Sequence, residues 1–286
     1  MTEEDKLDPE ELLRVAQEEE NKLQKGGTLK IFFGMAAGVG KTYAMLEAAQ
    51  DRLKAGDNVM IGTISTHGRK DTENLIKEIP LIPEKWISYK DTVFEEMDLE
   101  TILEKKPTIV LVDELAHTNI PGSRHAKRWQ DVIEILDAGI HVYTTLNVQH
   151  IESRKDIVEA ITGVQIRETV PDLILERATT IELIDLAPSE LLKRLKDGKI
   201  YLGNQPAIAA QHFFKEDKLM ALREIALRFT AEKVDHDLHA LVPRTTGWKT
   251  REKLMVAISP SSTSQLLIRT ARRRAFELDI PWITVY

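Results

Sequence analysis

Residues 30–46 read "KIFFGMAAGVGKTYAML". An apolar run gives way to small residues, then to Gly-Lys-Thr, then to a segment with helical spacing. That order is what a phosphate-binding loop (Walker A) needs: backbone N–H groups converging between a strand and a helix, a Lys for the β- and γ-phosphates, and a hydroxyl for Mg²⁺. Gly34 ends the strand. Gly38 and Gly40, with Val39 between them, let the backbone approach the phosphates, Lys41 is the cation and Thr42 the hydroxyl. The strict pattern is Gly, four residues, then Gly-Lys-Ser/Thr. Counting back from Gly40, its first glycine falls on Met35, and Gly34 sits one residue early. Met35 can crowd the loop, although Ala36, Ala37 and Gly38 are small enough to compensate.

Outward from the loop, strands alternate with helices. "KTYAMLEAAQDRLKAG" reads as a helix ending at Gly56, "NVMIGTI" as a strand, and "RKDTENLIKEI" as a helix. "WISYK" follows as a short strand and "VFEEMDLETILEKK" as a helix. "TIVLVDE" is a near-continuous β-branched strand, as in the centre of a parallel sheet. The helix "AKRWQDVIEILDAG" leads to the strand "HVYTTLNV". Repeated strand–helix order implies an α/β fold with a mostly parallel central sheet flanked by helices. Beyond Pro171, "TIELIDL" reads as a strand and "SELLKRLKDGK" as a helix capped by Ser189. "KLMALREIALRFTAEKVDHDLHAL" is a long amphipathic helix with Leu219, Leu222, Ile225 and Ala226 on one stripe. Four segments result: a charged N-terminal helix over 1–27, opened by Asp8-Pro9; a nucleotide-binding domain over 28–242; a linker over 243–252; and an incomplete βαβ unit over 253–286. One βαβ unit cannot close a core alone.

A second motif strengthens the first. Asp113 and Glu114 end the apolar strand "TIVLVDE" (Walker B). An Asp there holds Mg²⁺ together with Thr42, and Glu114 is the candidate to orient an attacking water. Two further strands intervene in the sequence, consistent with the two motifs lying side by side in the sheet. The cofactors indicated are Mg²⁺ and ATP; neither motif encodes a base pocket, so GTP fits equally. "HTNIPGSRHAKRW" offers His117, Asn119, Arg124, His125, Lys127 and Arg128, with Arg124 the candidate to contact the nucleotide. "TTLNVQH" ends its strand at the same edge, where Thr145, Asn147 and Gln149 can face the site, Asn147 foremost. Glu114 with His117, and His236 with His239, have metal-like spacings but lack a third ligand.

The chain of 286 residues is 42% hydrophobic and 30% charged, with a net charge of -7 and no cysteine. The negative balance argues against a nucleic-acid partner. The basic stretches "SRHAKR" and "RTARRR" read as solvated faces. No disulfide or thiolate chemistry is available, which fits a reducing cytoplasm. The N-terminus lacks a signal peptide, and no run approaches the roughly 18 apolar residues of a membrane helix.

"FFGMAAGVGKTYAML", "VLVDELAHTNIPGSRHAKRWQDV", "DAGIHVYTTLNVQHIES" and "RETVPD" resemble the N-terminal cytoplasmic domain of the KdpD family of potassium/turgor sensor histidine kinases. So do "DPEELLRVAQEEE" and "IELIDLAPSELLKRL"; the resemblance covers roughly residues 6 to 240. It implies a P-loop NTPase-like domain that is cytoplasmic in this chain, within a kinase anchored in the bacterial plasma membrane. Its implied partners are the transmembrane and kinase domains, or a separate kinase chain, and through them a response regulator. A homodimer is also compatible. From Lys253 the chain resembles the start of a universal-stress-protein-like domain. Some such domains bind cyclic di-AMP, which would engage Ser259, Ser261 and Tyr286; Trp282, Ile283 and Thr284 depart from that pattern, and the serines otherwise cap the helix. The kinase core itself, with its phosphoacceptor His and Bergerat-type ATP domain, is not in these residues. The resemblance thus implies a regulatory ATP-binding module. The alternative is a stand-alone P-loop ATPase or small-molecule transferase, with a second substrate near His67-Gly68-Arg69 or "PGSRHAKRW". A scaffold whose loop is broken by Met35 would bind no nucleotide.

Overall fold

The computed structural model describes residues 26–65, 70–90, 92–198, 200, 213–241, 253–278, 280 and 282–286. The helix expected over 1–27 (apart from Gly26 and Gly27), the 243–252 linker and His67-Gly68-Arg69 lie outside the described residues.

β1 (Leu29–Gly34) shows why the apolar runs are continuous. Ile31 and Phe33 face one way and Phe32 the other, and none of the three is exposed. Under Phe32 lies α1 (Lys41–Lys54), whose Met45, Leu46 and Ala49 join Ile61 and Leu111 in one core. The other face is covered by α3 (Leu99–Lys105), α4 (Arg128–Asp137) and α8 (Glu216–Leu241). Their Ile102, Ile135, Leu222 and Phe229 cluster with Ile31, Phe33 and Val110. The stripe expected on α8 is buried at Leu219, Leu222 and Ala226, with Ile225 at its margin, and continues to Phe229.

The sheet is wholly parallel, in the order β2-β5-β6-β1-β7. The other four strands are β2 (Val59–Thr63), β5 (Ile109–Val112), β6 (His141–Asn147) and β7 (Thr180–Leu183), of which β6 and β7 flank β1. The strands carrying the loop and the acidic pair are therefore not neighbours, because β6 stands between them. All five nevertheless end at one edge, which brings both motifs there. Helix α2 (Lys70–Ile76) follows β2.

Two local expectations are corrected. "WISYK" is a strand, β3 (Lys85–Tyr89), but the start of "VFEEMDLETILEKK" is also a strand, β4 (Thr92–Glu96). The two form an antiparallel hairpin outside the main sheet. Thr-Val-Phe favours extended backbone, and the helix waits for Asp98, whose carboxylate accepts the Thr101 N–H at 3.2 Å and its hydroxyl at 2.7 Å. Ser189 does not cap its helix: α7 (Pro188–Lys196) starts with Pro at its first turn and Ala187 as N-cap, since proline's fixed φ suits that place.

After β6 come two 3-10 turns (Val148–His150 and Glu152–Arg154), then α5 (Lys155–Thr162) and α6 (Asp172–Glu176). The C-terminal unit is β8 (Leu254–Ala257), α9 (Ser264–Glu277) and β9 (Trp282–Val285), with the two strands parallel. Its helix docks on the first unit. Arg269 grips Asp156 with two bonds of 2.6 and 2.7 Å, Arg272 pairs with Glu176, and Arg273 donates to the Ser153 carbonyl at 3.3 Å. Phe276 stacks on Phe229. The "RTARRR" stretch is thus an ion-paired contact rather than a solvated face, because acids of α5 and α6 stand opposite it.

Candidate functional site

The ends of β1, β5 and β6 and the loop after β2 enclose a cleft of about 180 Å³. Its floor is the loop between β1 and α1. Gly38 and Gly40 hold φ of 89° and 111°, left-handed values that a Cβ opposes. Gly34 is required by space instead: a Cβ there would lie 2.7 Å from Val39 Cγ2 and 3.2 Å from the Ile184 carbonyl oxygen. Met35 does not crowd the loop. Its side chain, 2% exposed, clusters in the core with Phe33, Ala36 and Val39 and is absent from the cleft lining. Lys41 is buried, and its Nζ donates to the Ala36 carbonyl at 2.9 Å. The N-terminus of α1 opens into the cleft at Lys41 and Thr42.

Asp113 is buried opposite. Its Oδ2 accepts the Thr42 hydroxyl at 3.2 Å and the Ser65 N–H at 3.3 Å. Its Oδ1 accepts the Glu114 N–H at 3.0 Å and the Thr145 hydroxyl. Burial pushes the Asp113 carboxyl up from its ordinary range, with the Glu114 charge acting the same way against the Thr145 bond. Two hard oxygen donors side by side, Thr42 and Asp113, fit Mg²⁺, which takes few protein ligands and keeps water and phosphate for the rest. Among the described residues there is no group of three His, Cys, Asp or Glu that could hold a metal without such help. His117 turns to Glu96 at 2.9 Å, and the side chains of His236 and His239 lie outside the described ones. Glu114 adopts φ 56° at the end of β5 and presents its exposed side chain to the cleft. A non-glycine residue in that region is held there by its surroundings, here by the bonds its N–H makes to Asp113 and to the Thr145 hydroxyl at 3.2 Å.

The far wall is the end of β6 and the turn after it. Asn147 lines the cleft, and its buried Oδ1 has no hydrogen-bond partner among the described residues; Gln149 Oε1 likewise has none, but Gln149 does not line the cleft. His150 also lines it. Its Nδ1 lies 2.9 Å from the Glu168 carbonyl, so that nitrogen donates, while Nε2 meets Gln149 Nε2 at 3.3 Å. Burial pushes the His150 pKa down, disfavouring the charged ring. Sequence reasoning missed Ser65, His150 and Glu168. Ser65 carried a usable signal, since it follows β2 and every strand of a parallel sheet ends at one edge. Glu168 carried none.

Other candidates lie elsewhere. Arg124 and His125 both pair with Glu134, and neither lines the cleft. Lys127 donates to Thr118 at 2.6 Å, and Asn119 to Asp131 at 2.6 Å. Arg128, also from the "SRHAKR" stretch, is buried and bonded to the Asp113 carbonyl at 3.1 Å and to Glu96 at 3.3 Å, so it braces β5 from behind. In the C-terminal unit Ser259 and Tyr286 sit at one end of the β8–β9 pair. The Ser261 hydroxyl accepts the Thr263 N–H at 3.3 Å, Ser264 Oγ donates to the Ser259 carbonyl at 2.6 Å, and Tyr286 is 86% exposed.

Residues 25–234 match the family model described as the KdpD osmosensitive K⁺ channel His kinase sensor domain. The chain belongs to this family. It is 50% identical over 283 residues to the sensor protein KdpD of Clostridium acetobutylicum and 44% identical over 282 residues to that of Escherichia coli. Each alignment covers 98% of the chain and 31% of the relative. A putative sensor protein KdpD of Synechocystis is 43% identical over 257 residues, 88% of the chain and 68% of the relative. The chain thus spans about a third of the length of the first two relatives. Among the described residues, no helix is long and apolar enough to cross a membrane.

Proposed function

We propose that the chain is a regulatory nucleotide-binding module of a potassium or osmotic-stress sensor histidine kinase, with a P-loop NTPase-like fold. The observation that carries this reading is the meeting of Thr42 with Asp113 at 3.2 Å above a loop whose glycines are each required by φ or by space. Lys41 would meet the β- and γ-phosphates and the loop N–H groups would hold them, while Asn147 Oδ1, without a hydrogen-bond partner among the described residues, would accept from a group or water at their far end. Mg²⁺, held by Thr42 and Asp113, would neutralise phosphate charge. Glu114 is at the mouth to orient a water. The end of β6 continues directly through Ser153 and Arg154 to contacts with α9, so occupancy of the cleft has a short path to the C-terminal unit. We infer that the rest of a membrane kinase, and through it a response regulator, reads that state.

The test is calorimetric titration of Mg-ATP into this chain and into Lys41→Ala, with phosphate release followed in parallel. Binding lost in the variant, with release below about one per minute against the 1–10³ per second usual for enzymes, supports the regulatory module. Fast release abolished by Glu114→Gln would replace it with the ATPase or transferase reading. No binding by the unaltered chain would refute both.

A further inference from the structure

A phosphate-holding loop works only while its N–H groups turn inward. In a trans peptide the C=O points opposite to the N–H, so where the N–H groups of Val39 and Gly40 turn inward the carbonyls of Gly38 and Val39 point outward. There they need partners, or the peptides are free to flip. Behind this loop stands α7. Arg194 Nη1 lies 3.3 Å from the Gly38 carbonyl oxygen and 3.5 Å from that of Val39. The Nη2 of the same guanidinium donates to Glu190 at 3.2 Å, one turn back, which fixes the fork in place. The neighbouring chain closes on the same loop: a Cβ on Gly38 would fall 2.6 Å from Ile200 Cδ1, and one on Gly40 would be 3.9 Å from Arg194 Nη1 and 4.0 Å from Ile184 Cγ2. Arg194 does not line the cleft. It acts from the outside.

We infer that Arg194 is a positioning residue for the phosphate loop. By engaging the outward carbonyls of Gly38 and Val39 it turns the N–H groups of Val39 and Gly40 toward the phosphates, and it sets a fixed positive charge behind them. The inference rests on the nucleotide reading of the loop and adds a determinant of affinity that lies about 150 residues beyond the motif. A surface pair between Arg194 and Glu190 alone would have almost no consequence. Two charge-assisted contacts to the loop would have a measurable one. Because α7 carries the arginine, cleft occupancy and the seating of α7 are linked in both directions.

The test compares the unaltered chain with Arg194→Met, which keeps the apolar stem, and with Arg194→Lys, which keeps the charge. Mg-ATP and Mg-ADP are titrated into each by calorimetry, and the unliganded melting temperature is recorded. Arg194→Met is expected to weaken both nucleotides by about tenfold or more and by the same factor, with little change in unliganded melting. Arg194→Lys is expected to recover part of the loss, and millimolar guanidinium to restore affinity to the Met variant only. A structural role alone would move melting without that rescue. Nucleotide binding by Arg194→Met within about twofold of the unaltered chain overturns the positioning role while the nucleotide reading stands. Absence of binding by the unaltered chain removes the reading itself.

Discussion

Met35 occupies the place where the strict phosphate-loop pattern has glycine, and two incompatible expectations arise from it. If Met35 crowds the loop, shortening it should improve nucleotide binding. The structure points the other way: the side chain is 2% exposed, packed with Phe33, Ala36 and Val39, and outside the cleft. Met35→Ala then removes core contacts and nothing else. A truncation of that kind costs about 2–5 kcal/mol. At roughly 2–4 °C per kcal/mol for a domain of this size, the melting temperature should fall by about 4–20 °C. The Mg-ATP dissociation constant, measured by calorimetry well below that temperature, should stay within about twofold, a difference near 0.4 kcal/mol. Urea denaturation gives the stability change independently of heating. An affinity that tightens by more than about threefold, or a melting temperature that does not move, would refute the reasoning, because either result means the side chain was in the loop and not in the core.

Gly34→Ala should do what Met35→Ala does not: with a Cβ 2.7 Å from Val39 Cγ2 and 3.2 Å from the Ile184 carbonyl oxygen, the loop must shift, and Mg-ATP affinity should fall by about tenfold or more at one overpacking step of roughly 1–3 kcal/mol; an unchanged titration would show that the loop is not seated as described. Glu96 and Arg128, both almost fully buried, form a pair whose breakage in Glu96→Gln should cost about 3–5 kcal/mol near neutral pH. Burial opposes the charge on Glu96, but its bonds to His117 and the Ile120 N–H and the nearby Arg128 hold its pKa below the ordinary 4.5. Its stabilisation is therefore present above that value and lost as pH falls through the lower folded value, so urea titrations of the two proteins should converge on acidification; a constant gap would count against the assignment. His150 has the opposite sign of pH dependence to a paired histidine: burial lowers its pKa below 6.5, so it destabilises the fold as pH drops from about 6.5 toward that lower value. His150→Gln should flatten that part of the stability profile, and an unaltered slope would show that another group carries it. Across the docked C-terminal unit, Asp156→Ala and Arg269→Ala should show a coupling of about 1 kcal/mol in a double-mutant cycle, whereas strict additivity would mean the bidentate pair is not held in solution.

The middle of the sheet was legible because β5, Ile109–Val112, is buried on both faces and so appears as an unbroken apolar run, and β1 and β2 are nearly so. β3 was read as a strand, but its hairpin partner β4 was not. The hairpin is mostly exposed, with Trp86 at 68%, and "VFEEMDLETILEKK" has enough charge at helical spacing to imitate a surface helix. What decided it was local, the Asp98 cap that delays the helix start. Sheet order was beyond reach for a different reason: inserting β6 between β1 and β5 depends on which crossover packs where, and no strand's own residues record that.

The site divides along the same line. The placement of Gly38, Gly40, Lys41, Thr42 and Asp113 was readable, because a strand–loop–helix turn and the end of a buried strand fix where each stands, and the structure brings them to one cleft; their work on a nucleotide belongs to the proposed function. Arg124 was misjudged because charge in a loop after a strand is common, and a nearby Glu134 on the next helix claimed it first. The groups that had no sequence signal, Glu168 and Arg194, share one property. Glu168 meets its neighbours through backbone groups, accepting from the Thr118 N–H with its carboxylate and from His150 with its carbonyl. Arg194 likewise reaches loop carbonyls that every residue type possesses. A contact made to backbone leaves no complementary residue to find, so motif reasoning stops at the cradle's inner surface and cannot see what holds it from outside. Arg194 belongs to a helix that follows β7, and α8, which lies beyond it in the chain, packs on the same core that carries the end of β6. On the proposed nucleotide reading, the affinity of the cleft would thereby be tied to α7 and α8, elements outside the loop itself, and a module that reported occupancy to its neighbours would need that connection more than it would need rapid turnover.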